Sequence, residues 1–117
     1  MAVVTYSDGE NARQALRILI GFHEILDGAV KIEDKLLVAG EITRVARMLS
    51  DLSRKEVFSD DASAAGNLLA DFARQLPEYD NRDFKNRRNV LNMTKEIITH
   101  IARIVATSNK IAKDDAK

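Results

Sequence analysis

The sequence contains no cysteine, only one proline and five glycines in 117 residues. Without cysteine the chain can form no disulfide, no thiolate zinc site and no cysteine nucleophile. The one proline, Pro77, and the few glycines leave few positions at which a helix has to end. The composition therefore favours a helical fold and excludes all chemistry that depends on a thiol.

An excess of charge of one sign is also missing, because 18 Lys and Arg residues balance 18 Asp and Glu residues. This balance argues against a protein whose main task is to neutralise nucleic-acid phosphates, although it permits a local basic patch. No apolar run approaches the ~20 residues that a membrane-spanning helix needs. The stretch Met1–Tyr6 lacks the basic start and apolar core of a signal peptide. We therefore expect no membrane partner and a cytoplasmic location.

The stretch from Asn81 to Ala112 predicts one helix, the longest in the chain. Its apolar residues recur at intervals of three and four, which is the spacing of one helix face. They are Val90, Ile97, Ile101 and Ile104, with Leu91, Ile98 and Val105 on the adjoining strip. At 1.5 Å per residue this helix is roughly 45 Å long, and it needs other helices along its apolar stripe to be stable.

The first helix is predicted to begin at a capping box formed by Ser7 and Glu10. Its expected core face comprises Ile18, Phe22, Ile25 and Ala29, widened by Ala15, Leu19 and Leu26. Two further apolar residues, Leu16 and Ile20, point away from that face. Because this helix is apolar on more than one side, we expect it to lie centrally in the fold or to contact a second chain.

The end of the first helix has two interpretations. Gly28 is the preferred end, because glycine is the usual residue just after a helix. The alternative continues the helix to Gly40, since a glycine inside a helix is only about 1 kcal/mol less favourable than alanine. With the break at Gly28, a second helix starts near Glu33 and ends near Arg54. Its predicted seam is Val38, Ile42, Val45, Leu49 and Leu52.

A third helix is expected to start at Ser59 or Asp60, which are good N-caps, and to end by Leu76, before Pro77. Its predicted apolar side is Ala65, Leu68, Leu69, Phe72 and Leu76. Asp80 is the expected cap of the long last helix. Four amphipathic helices with short connections predict an all-α fold, an antiparallel four-helix bundle with a long C-terminal helix. We expect one domain over residues 1–117, with an N-terminal arm at 1–6 and a frayed tail at 113–117.

The two histidines, His23 and His100, raise the hypothesis of a histidine phosphotransfer module, since such modules are four-helix bundles with a phosphate-accepting histidine. Their pattern is a histidine followed by lysine three residues later and glycine four residues later. His100 is followed by Arg103 and Ile104, so only the positive charge matches. A structural or surface histidine is therefore the preferred interpretation, and phosphotransfer remains a further alternative.

Other sites of catalysis or cofactor binding find little support in the sequence. A two-metal bundle site needs Glu-x-x-His pairs on two helices, whereas Glu96 and His100 are four residues apart. No glycine-rich phosphate loop, serine-hydrolase elbow or zinc motif is present. We therefore predict no enzyme, no catalytic residue, no metal and no cofactor.

The strongest local signal is basic: Arg82, Lys85, Arg87 and Arg88 crowd the predicted start of the last helix. Positive charge at a helix N-terminus opposes the macrodipole, so a functional reason for these residues is plausible. Contact with an acidic protein or with nucleic acid is one interpretation. The other is a solvated helix end whose arginines pair with nearby carboxylates such as Asp80.

These patterns favour a non-enzymatic helical module that binds another protein, for example an adaptor, chaperone, inhibitor or assembly subunit. Self-association as a homodimer is expected as well, because apolar side chains exposed on a folded protein usually mark contacts. The predicted contact residues are Leu16, Ile20, Arg82, Lys85, Arg87 and Arg88. The alternative is a nucleic-acid-associated bundle that uses the basic start of the last helix.

Overall fold

The computed structural model describes residues 4–28, 35–80 and 82–115. In this part of the chain there are four α-helices, two short 3-10 turns and no strand. The helices are α1 (Tyr6–Gly28), α2 (Lys35–Ser53), α3 (Ser59–Gln75) and α4 (Phe84–Asp115). The 3-10 turns, Glu56–Phe58 and Leu76–Glu78, flank α3. The predicted all-α four-helix bundle is therefore confirmed.

Each helix runs antiparallel to the two helices beside it. Bonds join Arg13 to Asn109, His23 to Thr94 and Asp27 to Arg87, so α1 and α4 run in opposite directions. Helix α3 packs between α2 and α4, and α1 packs between the same two helices. The result is a rod of 51 × 21 × 20 Å. Helix α4, with 32 residues at about 1.5 Å each, is nearly as long as the rod.

The core follows the predicted stripes of α2, α3 and α4. Buried residues on these helices include Val45, Leu49, Leu52, Leu69, Phe72, Val90, Ile97, Ile101 and Ile104. On α4 the buried stripe also contains Thr94 and Ser108, which a purely apolar pattern does not reveal. The predicted stripes were right because bulky aliphatic residues at three- and four-residue spacing leave only one face that can be buried.

The buried face of α1 agrees with the predicted one only in part. Its buried apolar residues are Ala12, Ala15, Leu19, Phe22 and Leu26, of which all but Ala12 were predicted. Ile18 is half-buried and Ile25 is 53% exposed, so placing Ile25 in the core was wrong. Small alanines define this face, and an analysis weighted toward large residues shifts it toward the isoleucines. Ala29, which was expected on the same face, lies outside the described residues.

Several helix ends also differ from expectation. Thr5, not Ser7, caps α1: its hydroxyl accepts from the backbone N–H of Asp8 at 3.3 Å, and its own N–H donates to the Asp8 carboxylate at 2.8 Å. Helix α3 starts at Ser59 directly after Phe58, without a side-chain cap. Asp83, not Asp80, caps α4 by accepting from the Asn86 N–H at 3.1 Å.

The ambiguous break between the first two helices is decided by the helix bounds at Gly40. Gly40 lies inside α2, so the alternative break at Ala39-Gly40 was wrong, and α1 has its bound at Gly28. The expected start of α2 near Glu33 lies outside the described residues. Of the predicted arm, Tyr6 already belongs to α1 and Val4 packs against buried side chains. Helix α4 continues to Asp115, beyond the predicted end at Ala112.

The buried side chains form a large and a small cluster. The large cluster fills most of the rod, from Ala15 to Leu26 on α1 and from Val90 to Ile101 on α4. The small cluster lies toward the N-terminus of α1 and is formed by Ala12, Leu52, Phe58, Ala62 and Ile104. Val4 and Val105 pack against the small cluster, so residues near the predicted arm cover part of the long α4.

Candidate functional site

The two apolar contact residues predicted on α1 have different surroundings. Leu16 is half-buried and packs against the large core cluster, as a structural residue does. Ile20 lies one turn later and is 41% exposed. Like every helix of the bundle, α1 contacts two others, α2 and α4, so the choice between a central position and contact with a second chain stays a prediction. Of the predicted pair, Ile20 is the side chain that is available to a partner.

Among the described side chains, which leave out those of residues 35–38 at the start of α2, exposed large apolar residues inside a helix are confined to α1. The large apolar residues with high exposure are Tyr6, Ile20, Ile25, Val57 and Phe84. Tyr6 and Phe84 are the first residues of their helices, and Val57 belongs to a 3-10 turn. Only Ile20 and Ile25 lie within a helix, on either side of the outward surface of α1. Sequence reasoning missed Ile25 because it assigned this residue to the core.

The basic cluster divides into paired and unpaired cations. Arg82 binds the Asp80 carboxylate through two nitrogens, at 3.0 Å and 2.8 Å. This pairing raises the pKa of Arg82. Arg87 pairs with Asp27 at the end of α1. Lys85 and Arg88 are exposed and form no ion pair with a described residue. The structure thus leaves two of the four predicted contact cations for an acidic partner.

The cluster lies where α4 starts beside the end of α1. Asp83 accepts the Asn86 N–H, and Asn86 accepts the Asp80 N–H at 3.0 Å, so this connection is tied to the first turn of α4. Phe84 directly follows Asp83 in the sequence. Its ring is 73% exposed, and the exposed residues Lys85 and Arg88 lie near it on the first turns of α4. An aromatic ring flanked by two unpaired cations can contact an apolar, acidic surface.

Tyr79 joins the connection between α3 and α4 to the end of α1 through a hydrogen bond. It is buried, and its hydroxyl donates to the Leu26 carbonyl oxygen in the last described turn of α1, where carbonyl groups commonly lack a partner within the helix. Burial is the main cause that raises the pKa of the Tyr79 phenol above its ordinary value of 10.0. Arg87 acts in the opposite direction, while Asp27 and Asp80 add to the rise.

We expect Tyr79→Phe to lower the free energy of unfolding by about 1–2 kcal/mol, because the Leu26 carbonyl loses its hydrogen bond. The loss should shrink at high pH. The Tyr79 phenol of the unfolded chain loses its proton at a lower pH than that of the folded chain. The stability that the protonated phenol contributes is therefore complete below pH 10.0 and disappears as the pH rises through the raised pKa of the folded state. Urea unfolding followed by circular dichroism, at neutral pH and above pH 10.0, measures both effects.

Tyr6→Phe is the matched control, because Tyr6 is exposed and forms no hydrogen bond to another side chain or carbonyl among the described residues. Its unfolding curve should follow the wild type at both pH values. If Tyr79→Phe also unfolds like the wild type at neutral pH, the hydroxyl does not stabilise the end of α1.

The histidines lie on different helix contacts and do not converge. Thr94 donates its hydroxyl proton to the Leu91 carbonyl at 2.7 Å, so its oxygen accepts from Nδ1–H of His23 at 2.8 Å. Nδ1 of His100 donates to the Asp61 carboxylate at 2.9 Å, and Arg103 lies 3.7 Å from the same carboxylate. Each ring therefore has only Nε2 left for chemistry, and the phosphotransfer hypothesis stays a prediction.

Clefts on the rod present few convergent polar groups. One of about 290 Å³ lies between the start of α1 and the end of α4. Arg13 in this cleft already pairs with Glu10 at 3.0 Å and donates to Asn109 at 3.2 Å. Another, of about 230 Å³, lies between α2 and α3, where Thr43 donates to its own helix at the Ala39 carbonyl.

Metal ligands are not gathered anywhere in the described residues, where no group of three or more His, Asp or Glu side chains converges. Residues 4–28, 35–80 and 82–115 also contain no helix that combines the length and apolar character needed to cross a bilayer.

Comparison with known proteins gave no relative. No family model, curated protein or solved structure matches this chain. The candidate site therefore stands on geometry alone. It consists of the exposed surface of α1 around Ile20 and the basic start of α4 with Phe84, which the Asp27–Arg87 ion pair connects.

Proposed function

We propose that this chain is a non-enzymatic helical module that acts by binding another protein and by associating with itself. The observation that supports the proposal is the surface of α1, which exposes Ile20 and Ile25 although the same helix already buries a complete core face. A single exposed apolar residue is ordinary, but two on the outward surface of one helix favour a contact surface.

The start of α4 is the proposed second contact. Lys85 and Arg88 lie in solvent without an ion pair to a described residue, next to the exposed ring of Phe84. Unpaired cations at the edge of an interface raise association rates with acidic partners and help to select them. Arg82 and Arg87, which pair with Asp80 and Asp27, contribute to the shape of this surface more than to its free charge.

Nucleic-acid binding has less support than protein binding. Two cations without ion pairs among the described residues neutralise about two phosphates, which gives a logarithmic salt dependence no steeper than about −2. Such weak electrostatic binding fits the zero net charge of the chain. Phe84 offers one exposed ring for a base, whereas binding of single strands usually relies on several.

The proposal predicts that Ile20→Glu reduces binding at least about tenfold, because a charge is placed in an apolar contact. Two measurements test this: the molar mass by size-exclusion chromatography with light scattering, and capture of partners on immobilised protein. Val57→Glu is the matched control, since Val57 is as exposed as Ile25 but lies in the turn before α3. Leu16→Glu is less suitable, because Leu16 packs against the core.

The wild type and Val57→Glu should behave alike, and Ile20→Glu should retain the wild-type circular dichroism spectrum. A wild type that remains monomeric from micromolar to millimolar concentration, and that captures no partner which Ile20→Glu fails to capture, would overturn the proposed function.

A further inference from the structure

We propose that the outward surface of α1 is a two-fold interface at which α1 packs antiparallel against α1 of a second copy of this chain. This inference rests on the self-association in the proposed function and specifies its geometry. The surface, called the α1 outer face below, consists of Arg17, Ile20, Gly21, Glu24, Ile25 and Gly28. These residues lie on the side of α1 opposite its buried face.

The first argument is the glycine in the middle of the α1 outer face. Gly21 lies inside a helix, where glycine is less favourable than alanine. A Cβ atom at Gly21 would meet nothing within 4 Å, and none of the described glycines has a positive φ. Packing within the described chain therefore does not require a glycine here. A second helix does benefit, because glycine lets two backbones approach closely.

The second argument is the position of the exposed isoleucines. Ile20 and Ile25 flank Gly21 on its two sides, so α1 presents a small residue between two large apolar ones. Gly40 and Gly66 also have free space around them, but no large apolar side chain is exposed inside α2 or α3 among the described residues. Among the side chains that the structure describes, which do not include those of residues 35–38 in α2, the combination of a helix-interior glycine with apolar residues that a partner can cover is found in α1.

The third argument is charge, which selects the antiparallel orientation. Arg17 and Glu24 are exposed and form no ion pair with a described residue. Neither has an oppositely charged residue one turn away on α1. In a parallel two-fold dimer, each residue faces its own counterpart, which places arginine against arginine and glutamate against glutamate.

In an antiparallel dimer whose two-fold axis passes between Ile20 and Gly21, opposite charges face each other instead. Arg17 and Glu24 lie about 5 Å on either side of that axis, so Arg17 of one copy meets Glu24 of the partner subunit at the same height. Symmetry repeats the ion pair on the other side of the axis. At the centre, Ile20 of each copy lies at the same height as Gly21 of the partner subunit.

The interface is small, because stable complexes commonly bury about 800 Å² per partner and one face of roughly three helical turns provides less. The dimer should therefore form in the micromolar range or above, and measurements have to extend to high concentration.

Reversal of the two charges tests the orientation. Arg17→Glu and Glu24→Arg, made singly, should each weaken dimerisation by about tenfold or more, because symmetry brings like charges together twice. The double variant Arg17→Glu/Glu24→Arg restores both pairs with reversed sign and should dimerise within about threefold of the wild type. Sedimentation equilibrium over a wide concentration range gives these dissociation constants.

Substitution of Gly21 tests the interface independently of the charges. Gly21→Gln should abolish dimerisation while the fold is kept, because a Cβ atom at Gly21 would meet nothing within 4 Å in the monomer, whereas the longer side chain blocks the approach of the second helix. Gly40→Gln is the matched control in α2, where the space around the glycine is equally free, and it should dimerise like the wild type.

The outcomes separate this inference from the proposed function. If the wild type self-associates but the double variant does not recover, or if Gly21→Gln dimerises normally, the antiparallel α1 interface is wrong while self-association stands. If the wild type is monomeric yet captures another protein through Ile20, this inference is overturned and protein binding stands. If there is neither self-association nor capture, both this inference and the proposed function are overturned.

Discussion

Replacing Phe72 by alanine is expected to lower the free energy of unfolding by about 3–5 kcal/mol. Phe72 is completely buried, and its ring stacks on Phe22 of α1 with 6.0 Å between the centroids. The substitution leaves a cavity where α1 and α3 meet, and neighbouring side chains fill such cavities only in part. The loss is a large share of the ~5–15 kcal/mol that stabilise a typical domain. Because the chain has no tryptophan, urea unfolding should be followed by circular dichroism.

Phe84→Ala is the matched control for this experiment. It makes the same chemical change at a ring that is 73% exposed, so its effect should stay within about 0.5 kcal/mol. Comparable losses for the two variants would show that the ring of Phe84 is also packed, and would contradict the assignment of the core.

The second large effect is expected at Asp8. This buried carboxylate accepts the Thr5 N–H at the start of α1 and lies 3.5 Å from Nζ of Lys55, in the connection between α2 and α3. Asp8→Ala removes the reciprocal cap and separates a largely buried charge pair. We expect a loss of about 2–3 kcal/mol in the free energy of unfolding, measured by urea titration.

Asp8→Asn separates the two contributions, because the amide oxygen can still accept the Thr5 N–H while the charge is absent. It should lose about half as much stability as Asp8→Ala. If Asp8→Ala unfolds within about 0.5 kcal/mol of the wild type, neither the cap nor the contact with Lys55 stabilises the bundle.

Much of the fold could be predicted from the sequence because large aliphatic residues mark one face of α2, α3 and α4. For α1 the same reasoning found most of the buried face, namely Ala15, Leu19, Phe22 and Leu26, but it added Ile25, which is exposed, and left out Ala12, which is buried. An alanine carries little information by itself, since it is equally acceptable on a surface. Ala12 does, however, continue the three- and four-residue spacing of Ala15, Leu19, Phe22 and Leu26, so a search that counted alanines would have included it.

Helix ends were less predictable because several residues near each end have suitable side chains. Thr5 with Asp8 and Ser7 with Glu10 both match a capping box, two residues apart. The contact between Asp8 and Lys55 favours the first of them, and that contact exists only in the folded chain. In the same way, Asp80 and Asp83 are both possible caps of α4, and Asp83 is the one used.

The candidate site was predictable only in part. The basic cluster and Ile20 stand out in the sequence, but the pairing of Arg87 with Asp27 joins residues that are 60 positions apart. The pairing of Arg82 with Asp80 was one of the local interpretations, whereas no local pattern shows that Arg87 is engaged while Lys85 and Arg88 are not. The importance of Gly21 likewise depends on the empty space around it, which the sequence does not contain.

The division of the core into a large and a small cluster places fewer buried side chains at one end of the rod than along the rest of it. The small cluster, around Leu52, Phe58 and Ile104, has fewer buried side chains to lose. The contact between Asp8 and Lys55 joins the start of α1 to the connection between α2 and α3, and both of these elements enclose the small cluster. Partial opening should therefore begin there and leave the large cluster intact, so that local fluctuations at one end do not disturb the exposed surface of α1 around Ile20.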